Sequence, residues 1–141
     1  MAGKTFPDLY CSQIKLDRLT VYLASTGKGA FRVGLGLNRT SRSVLFFRRL
    51  FPTARLTEDH RLNRPLAEAV EAAFRNTPTE TPLAMDVSFT PFQRAVLEAV
   101  AAIPFGRTRT YGAVASIIGK PLAARAVGQV MGRNPIPLIY P

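Results

Sequence analysis

The chain has 141 residues, enough for one ordinary domain or two small ones, and a hydrophobic content of 47% suits a chain with a core. Its net charge is +10, and arginine far outnumbers lysine, so a polyanionic partner is favoured and nucleic acid comes first. A single cysteine, Cys11, excludes an intrachain disulfide and a cysteine-cluster metal site, and His60 as the only histidine leaves little for zinc.

No metal or cofactor is therefore expected. No apolar run approaches the ~20 residues needed to span a bilayer, and no basic amphipathic helix stands out, so a membrane partner is not expected. Met1-Ala2-Gly3-Lys4-Thr5-Phe6-Pro7 lacks the apolar centre of a signal peptide, and a cytoplasmic location is the default expectation.

In chain order, Leu19 to Ala24 and Phe31 to Leu37 read as strands. The second alternates, which puts Phe31, Val33, Leu35 and Leu37 on one side. Ser25-Thr26-Gly27-Lys28-Gly29 predicts the hairpin turn between them. Asn38 to Ser43 reads as a second polar turn leading into Val44-Leu45-Phe46-Phe47, which continues an antiparallel meander. Pro65 sits at a first-turn position, and Leu66, Ala69, Val70, Ala73 and Phe74 follow at helical spacing.

Asn76-Thr77-Pro78-Thr79-Glu80-Thr81-Pro82 is a linker by composition. Beyond it the pattern is helical. Thr90-Pro91-Phe92-Gln93 has the capping-box arrangement, and Phe92, Ala95, Val96, Ala99, Val100 and Ile103 mark an apolar face that ends at Pro104 and Gly106. A short helix is expected after Thr110, with Val114, Ile117 and Ile118 inward. Gly119-Lys120-Pro121 then makes a turn into a helix from about Leu122 to Gly132, with Ala123, Val127, Val130 and Met131 inward. Two short helices joined by a tight turn form a helix-turn-helix pattern.

Arg125 lies about 200° round that last helix from Val127, so it points away from the buried face, with Gly128 and Gln129 as outer neighbours. An arginine among small residues suits close approach to DNA; it also suits a solvated surface. Tyr111 could touch a phosphate or be an interfacial tyrosine with a wet hydroxyl. Arg107, Arg109, Lys120 and Arg133 are phosphate contacts or solubilising charge, opposed locally only by Glu98. Cys11 has no convincing neighbour to lower its pKa and reads as incidental. His60, within Glu58-Asp59-His60-Arg61, reads as a surface residue.

Five blocks between Phe89 and Pro141 occur together: Thr90-Pro91-Phe92-Gln93, Ile103-Pro104-Phe105-Gly106, Thr110-Tyr111-Gly112, Ala123-Ala124-Arg125-Ala126-Val127-Gly128 and Asn134-Pro135-Ile136-Pro137. In order and spacing this set resembles the O6-alkylguanine-DNA alkyltransferases, or methylated-DNA–protein-cysteine methyltransferases. The expected fold is α+β. A small antiparallel sheet with a helix, ribonuclease-H-like, occupies residues 1–85 with the linker. A helical, winged-helix-like domain with the helix-turn-helix occupies residues 86–141.

The resemblance implies a base-flipping mechanism in which the helix-turn-helix enters the minor groove of double-stranded DNA. By position, Arg125 resembles the arginine that fills the place of the extruded guanine, Tyr111 the tyrosine that rotates the phosphate, and Asn134 the hinge to the active-site strand. Thr110, Ala124, Gly128, Lys120 and Arg133 complete the expected DNA-binding set. A planar guanidinium can fill the stacking gap left by a flipped base, and small residues let a helix sit in a groove only ~6 Å wide.

In that family a Pro-Cys-His-Arg motif carries the reactive cysteine. Pro141 stands at its proline and is the last residue, so no catalytic residue is assigned and the chain is expected to be unable to transfer alkyl groups. Tyr140 is bulkier than the aliphatic residue expected before that proline. A shortened alkyltransferase is the expected reading. The alternatives are a non-catalytic, alkyltransferase-like lesion-binding protein and a basic helix-turn-helix regulator; the latter leaves the Asn-Pro-Ile-Pro tail without a purpose.

Overall fold

The computed structural model describes residues 6–79 and 81–140. They form two compact units, Met1–Val87 and Ser88–Pro141, and each is described by itself.

The first unit is built on a sheet of four strands: β1 (Leu9–Leu16), β2 (Leu19–Thr26), β3 (Gly29–Leu37) and β4 (Leu56–Glu58). Their order is β3-β2-β1-β4. The first three make an antiparallel meander, and β4 pairs with β1 in parallel. Asp17, at φ 56°, makes the tight β1–β2 turn, an αL position that aspartate tolerates. Two helices belong to this unit, α1 (Ser43–Leu50) and α2 (Arg64–Phe74).

Helix α1 corrects the strand expected at Val44-Leu45-Phe46-Phe47. A four-residue apolar run does not by itself separate a buried strand from a helix. Here the helical period wins: Ser43 and Phe47, four apart, are both buried, while Leu45 and Leu50 stay exposed. Arg48 and Arg49 in the last turn complement the helix dipole. Strand β1 carries no clear strand signature in the sequence, because Gln13 and Lys15 interrupt its apolar pattern.

One core gathers Leu9, Cys11, Tyr22, Ala24, Phe47, Phe51 and Ala54 beneath α1. Residues that alternate with these, Val21, Leu23 and Val33, are equally buried, and Leu66 and Val70 of α2 are buried where that helix packs on β1 and β2. Leu35 and Leu37 depart from expectation. They are 43% and 69% exposed, because α2 packs on β1 and β2 and leaves the far end of the edge strand uncovered.

The segment that follows the linker is tied down. The Ala30 N–H donates to the Ala84 carbonyl at 2.9 Å, and the Asp86 N–H donates to the Ala30 carbonyl at 2.8 Å. The Thr26 hydroxyl donates to the Asp86 carboxylate at 2.6 Å. These bonds explain why the first unit runs on to Val87.

The second unit holds three helices, α3 (Pro91–Ala101), α4 (Tyr111–Ile117) and α5 (Ala124–Gly132). The expected capping box is present: Thr90 Oγ1 accepts from the Gln93 N–H at 3.2 Å, and Gln93 Oε1 accepts from the Thr90 N–H at 3.0 Å. The core is Val96, Val100, Val114, Ala115 and Val127, with Ile118, Ala123, Val130 and Met131 packed against it. Ile117 corrects the inward expectation and is 62% exposed, because the short α4 buries Val114 and Ala115 instead. No helix among the described residues is long and apolar enough to cross a membrane.

Phe46 packs flat on Tyr22, with ring centroids 4.2 Å apart, and this stack exists because residue 34 is glycine. A Cβ at Gly34 would lie 2.2 Å from the Phe46 ring. Gly34→Ala is expected to displace that ring and to cost about 1–3 kcal/mol of stability by overpacking. Urea unfolding of the variant beside the wild-type chain measures it; an unchanged midpoint would contradict the packing argument.

Candidate nucleic-acid interface

The expected helix-turn-helix is α4 and α5 with residues 118–123 between them, a longer turn than the three residues anticipated. Helix α5 begins at Ala124, so Leu122 lies in the turn and not in the helix. The turn is closed by Gly119, at φ +75°. The Lys120 N–H reaches back to the Ala115 carbonyl at 2.8 Å, and the Gly119 N–H to the Ser116 carbonyl at 3.0 Å. This pair of bonds is the Schellman ending, which favours glycine at the left-handed position.

Thr110 caps α4, its Oγ1 accepting from the Ala113 N–H at 3.0 Å. That bond occupies the hydroxyl as an acceptor and leaves its proton free to donate outward. Tyr111 follows, half exposed, with its ring over α5. A Cβ on Gly128 would come within 3.1 Å of the ring carbons Cδ2 and Cε2. Gly128 therefore lets the tyrosine of one helix lie close on the backbone of the next, and this brings two of the expected site residues together.

Val127 is fully buried and fixes the rotation of α5. Arg125 accordingly projects to solvent, and among the described residues it has no hydrogen bond or ion pair from its side chain. Ala124 and Gly128 are partly buried small residues on the same helix. No side chain caps the start of α5, so its first N–H groups remain available at the positive end of the helix dipole. Lys120 and Arg133, at the two ends of the turn-and-helix segment, are exposed. Residues 88–141 carry Arg94, Arg107, Arg109, Lys120, Arg125 and Arg133 against the single acidic residue Glu98.

Asn134 is more tightly held than a free hinge suggests. Its Nδ2 donates to the Tyr140 carbonyl at 2.5 Å, while its Oδ1 accepts from the Ile136 N–H at 3.1 Å. Ile136 is fully buried, and the Tyr140 ring meets Phe89 edge to face at 6.0 Å between centroids. The side chain of Asn134 thus clasps the segment after α5 into a closed loop. Sequence could flag this asparagine, but not the carbonyl six residues on that it binds.

The family model described as the 6-O-methylguanine DNA methyltransferase DNA-binding domain matches residues 91–141. Over 135 residues the chain is 33% identical to the inducible methylated-DNA–protein-cysteine methyltransferase of Bacillus subtilis, covering 96% of this chain and 75% of that protein. The chain belongs to the methylated-DNA–protein-cysteine methyltransferase family. A Mycobacterium leprae methylated-DNA–protein-cysteine methyltransferase is 45% identical over 82 residues, 56% of this chain and half of that protein. In three dimensions the chain is similar to Mycobacterium tuberculosis OGT, solved in complex with DNA, with a TM-score of 0.68 and 32% identity over 94% of this chain and 74% of that one.

Within this methyltransferase family chain, Cys11 sits in the sheet core with no solvent exposure. Burial raises its thiol pKa from an ordinary value of 9.0 to about 11, with Arg48 pulling it down and Glu58 pushing it up to lesser degrees. A thiol held protonated at neutral pH is a poor nucleophile. His60 is exposed, and among the described residues its ring is paired only with Glu58, at 3.3 Å.

Two outcomes follow for Cys11. A thiol-alkylating reagent at pH 8 should leave the folded chain unmodified and label it once unfolded, read by mass. Because the folded pKa exceeds the unfolded one, ionisation favours the unfolded chain between about pH 9 and 11, so stability should fall as pH rises through that window and this contribution should be flat below it. Rapid labelling of the native chain would show the thiol to be accessible after all.

Proposed function

We propose that these residues form the DNA-docking and base-extruding part of a repair alkyltransferase whose substrate is O6-alkylated guanine in double-stranded DNA. One arrangement carries the reading. Arg125 stands exposed on α5, on the side away from buried Val127, and the Tyr111 ring lies over Gly128 of the same helix. In this reading α5 enters the minor groove, where the small Ala124 permits close approach and Gly128 seats the Tyr111 ring against the helix. Arg125 fills the stack that the guanine vacates, and Tyr111 presses on the phosphate beside it. Thr110, Lys120 and Arg133 hold the backbone, with the uncapped start of α5 adding N–H groups toward a phosphate.

The family match of residues 91–141 to a DNA-binding domain supports this reading, as does the likeness to a mycobacterial relative solved with DNA. The charge of residues 88–141 supports it too, since cations there are opposed by Glu98 alone. The alkyl acceptor in this reading is not Cys11. A thiol with no exposure cannot align with a carbon on an extruded base, and its raised pKa keeps it protonated. We accordingly expect these 141 residues by themselves to bind DNA without taking up an alkyl group. In this reading a cytoplasmic location fits the chain.

Duplex DNA should bind with little sequence preference and with steep salt dependence. Each neutralised phosphate contributes about −0.9 to the slope of log K against log salt. Titration at several salt concentrations measures that slope. Binding absent even at low salt would refute the docking assignment.

Arg125 and Lys120 should separate. Arg125→Ala is expected to lower extrusion of a fluorescent base analogue by about tenfold, because extrusion costs a few kcal/mol that a stacked guanidinium offsets. Its effect on overall affinity should be smaller. Lys120→Ala should do the reverse, lowering affinity and reducing the salt slope by about 0.9. An Arg125→Ala variant that loses affinity but extrudes normally would make Arg125 an ordinary phosphate contact.

A further inference from the structure

Leu122 is fully exposed, at 101%, yet it does not sit in a slack loop. On its N-terminal side the turn is closed by the Gly119 ending and the Lys120 N–H bond to Ala115, 2.8 Å. On its C-terminal side the Ala123 N–H donates to the Lys120 carbonyl at 2.9 Å, so the bond spans Leu122. Pro121 restricts the backbone just before it. A leucine is thus held out into solvent at the entry to α5, two residues after Lys120 and three before Arg125.

Single exposed leucines are common and ordinarily mean nothing. Three observations set this one apart. Its side chain contributes nothing to the core of its own unit, which is complete with Val96, Val100, Val114, Ala115 and Val127. It lies in a hydrogen-bonded turn, where polar residues are the usual choice. It is flanked by the two cations that the DNA-binding reading places on a phosphate and in the base stack.

We propose that Leu122 is an apolar contact of the DNA surface, packing on the deoxyribose carbons that wall the minor groove beside the point where Arg125 enters. This rests on the DNA-binding reading above. The groove wall offers carbon as well as phosphate oxygen, and apolar side chains are used at minor-groove surfaces. Covering the wall there excludes water from the base of the Arg125 side chain, where its charge then acts in a less polar setting. The contact is distinct in kind from those of Lys120 and Arg133, because it releases no counterions.

That difference gives the test. Wild-type chain and the variants Leu122→Ala, Leu122→Asn and Leu122→Met are titrated with undamaged duplex DNA over a range of salt, with thermal unfolding measured in parallel. Ala and Asn should weaken binding by about 3- to 10-fold, a part of what full burial of the lost carbons would give. The loss should be the same at every salt concentration, with the slope unchanged. Met, which keeps the apolar area, should bind within about twofold of wild type. Melting should not move, since the side chain touches no core. Ala and Asn variants that bind like wild type would overturn the proposal. So would a loss accompanied by a shallower salt slope, because the change would then act through Lys120. A wild-type chain that does not bind duplex at low salt is a different result: it removes the DNA-binding reading, and this contact with it.

Discussion

Val127 packs with no exposure among Val96, Val100, Val114 and Ala115, and that packing fixes the rotation of α5 about its axis. A helix of nine residues has little intrinsic stability in water. Its orientation is set by the tertiary contact, with Val130 and Met131 as lesser anchors. Turning the helix by one residue would carry Arg125 by about 100° and take Gly128 from under the Tyr111 ring. The outer face can therefore be lined with small residues because the inner face alone holds the helix in place.

The second unit was more legible in the sequence than the first. Its signals are local: a hydroxyl, a proline and a glutamine within four residues define the start of α3, and a glycine at a left-handed position ends α4. Such motifs act through backbone groups a few residues away. The misreadings in the first unit arise where the partner is distant. Val44 to Phe47 is apolar enough for either element, and what decides is the Phe46 ring seated over Gly34 and stacked on Tyr22. Strand β1 reads weakly because it is central, bonded to β2 on one side and to β4 on the other, so its order comes from neighbours and not from its own alternation.

The candidate interface divides in the same way. Tyr111, Arg125 and Asn134 stand out as residue types in a recognisable order. Their relations do not. That Gly128 lies beneath the tyrosine, that Thr110 spends its oxygen on a cap, and that Asn134 ties itself to the Tyr140 carbonyl are facts of packing between helices and of loop closure. Ile117 and Leu122 show the limit of periodicity. Both are large apolar residues near an apolar stripe, and both are exposed: Ile117 because a helix as short as α4 has room on its buried side for Val114 and Ala115 and little else, and Leu122 because it lies in the turn before α5 begins at Ala124.

The burial of Cys11 has a practical side. A chain whose only thiol is enclosed in a sheet core behaves, while folded, as though it had none. A cysteine placed anywhere on the surface would then be the sole point that a dye or spin label could reach. Distances from α5, or from the edge strand β3, could be followed with one substitution each, and the native cysteine could stay where the core needs it.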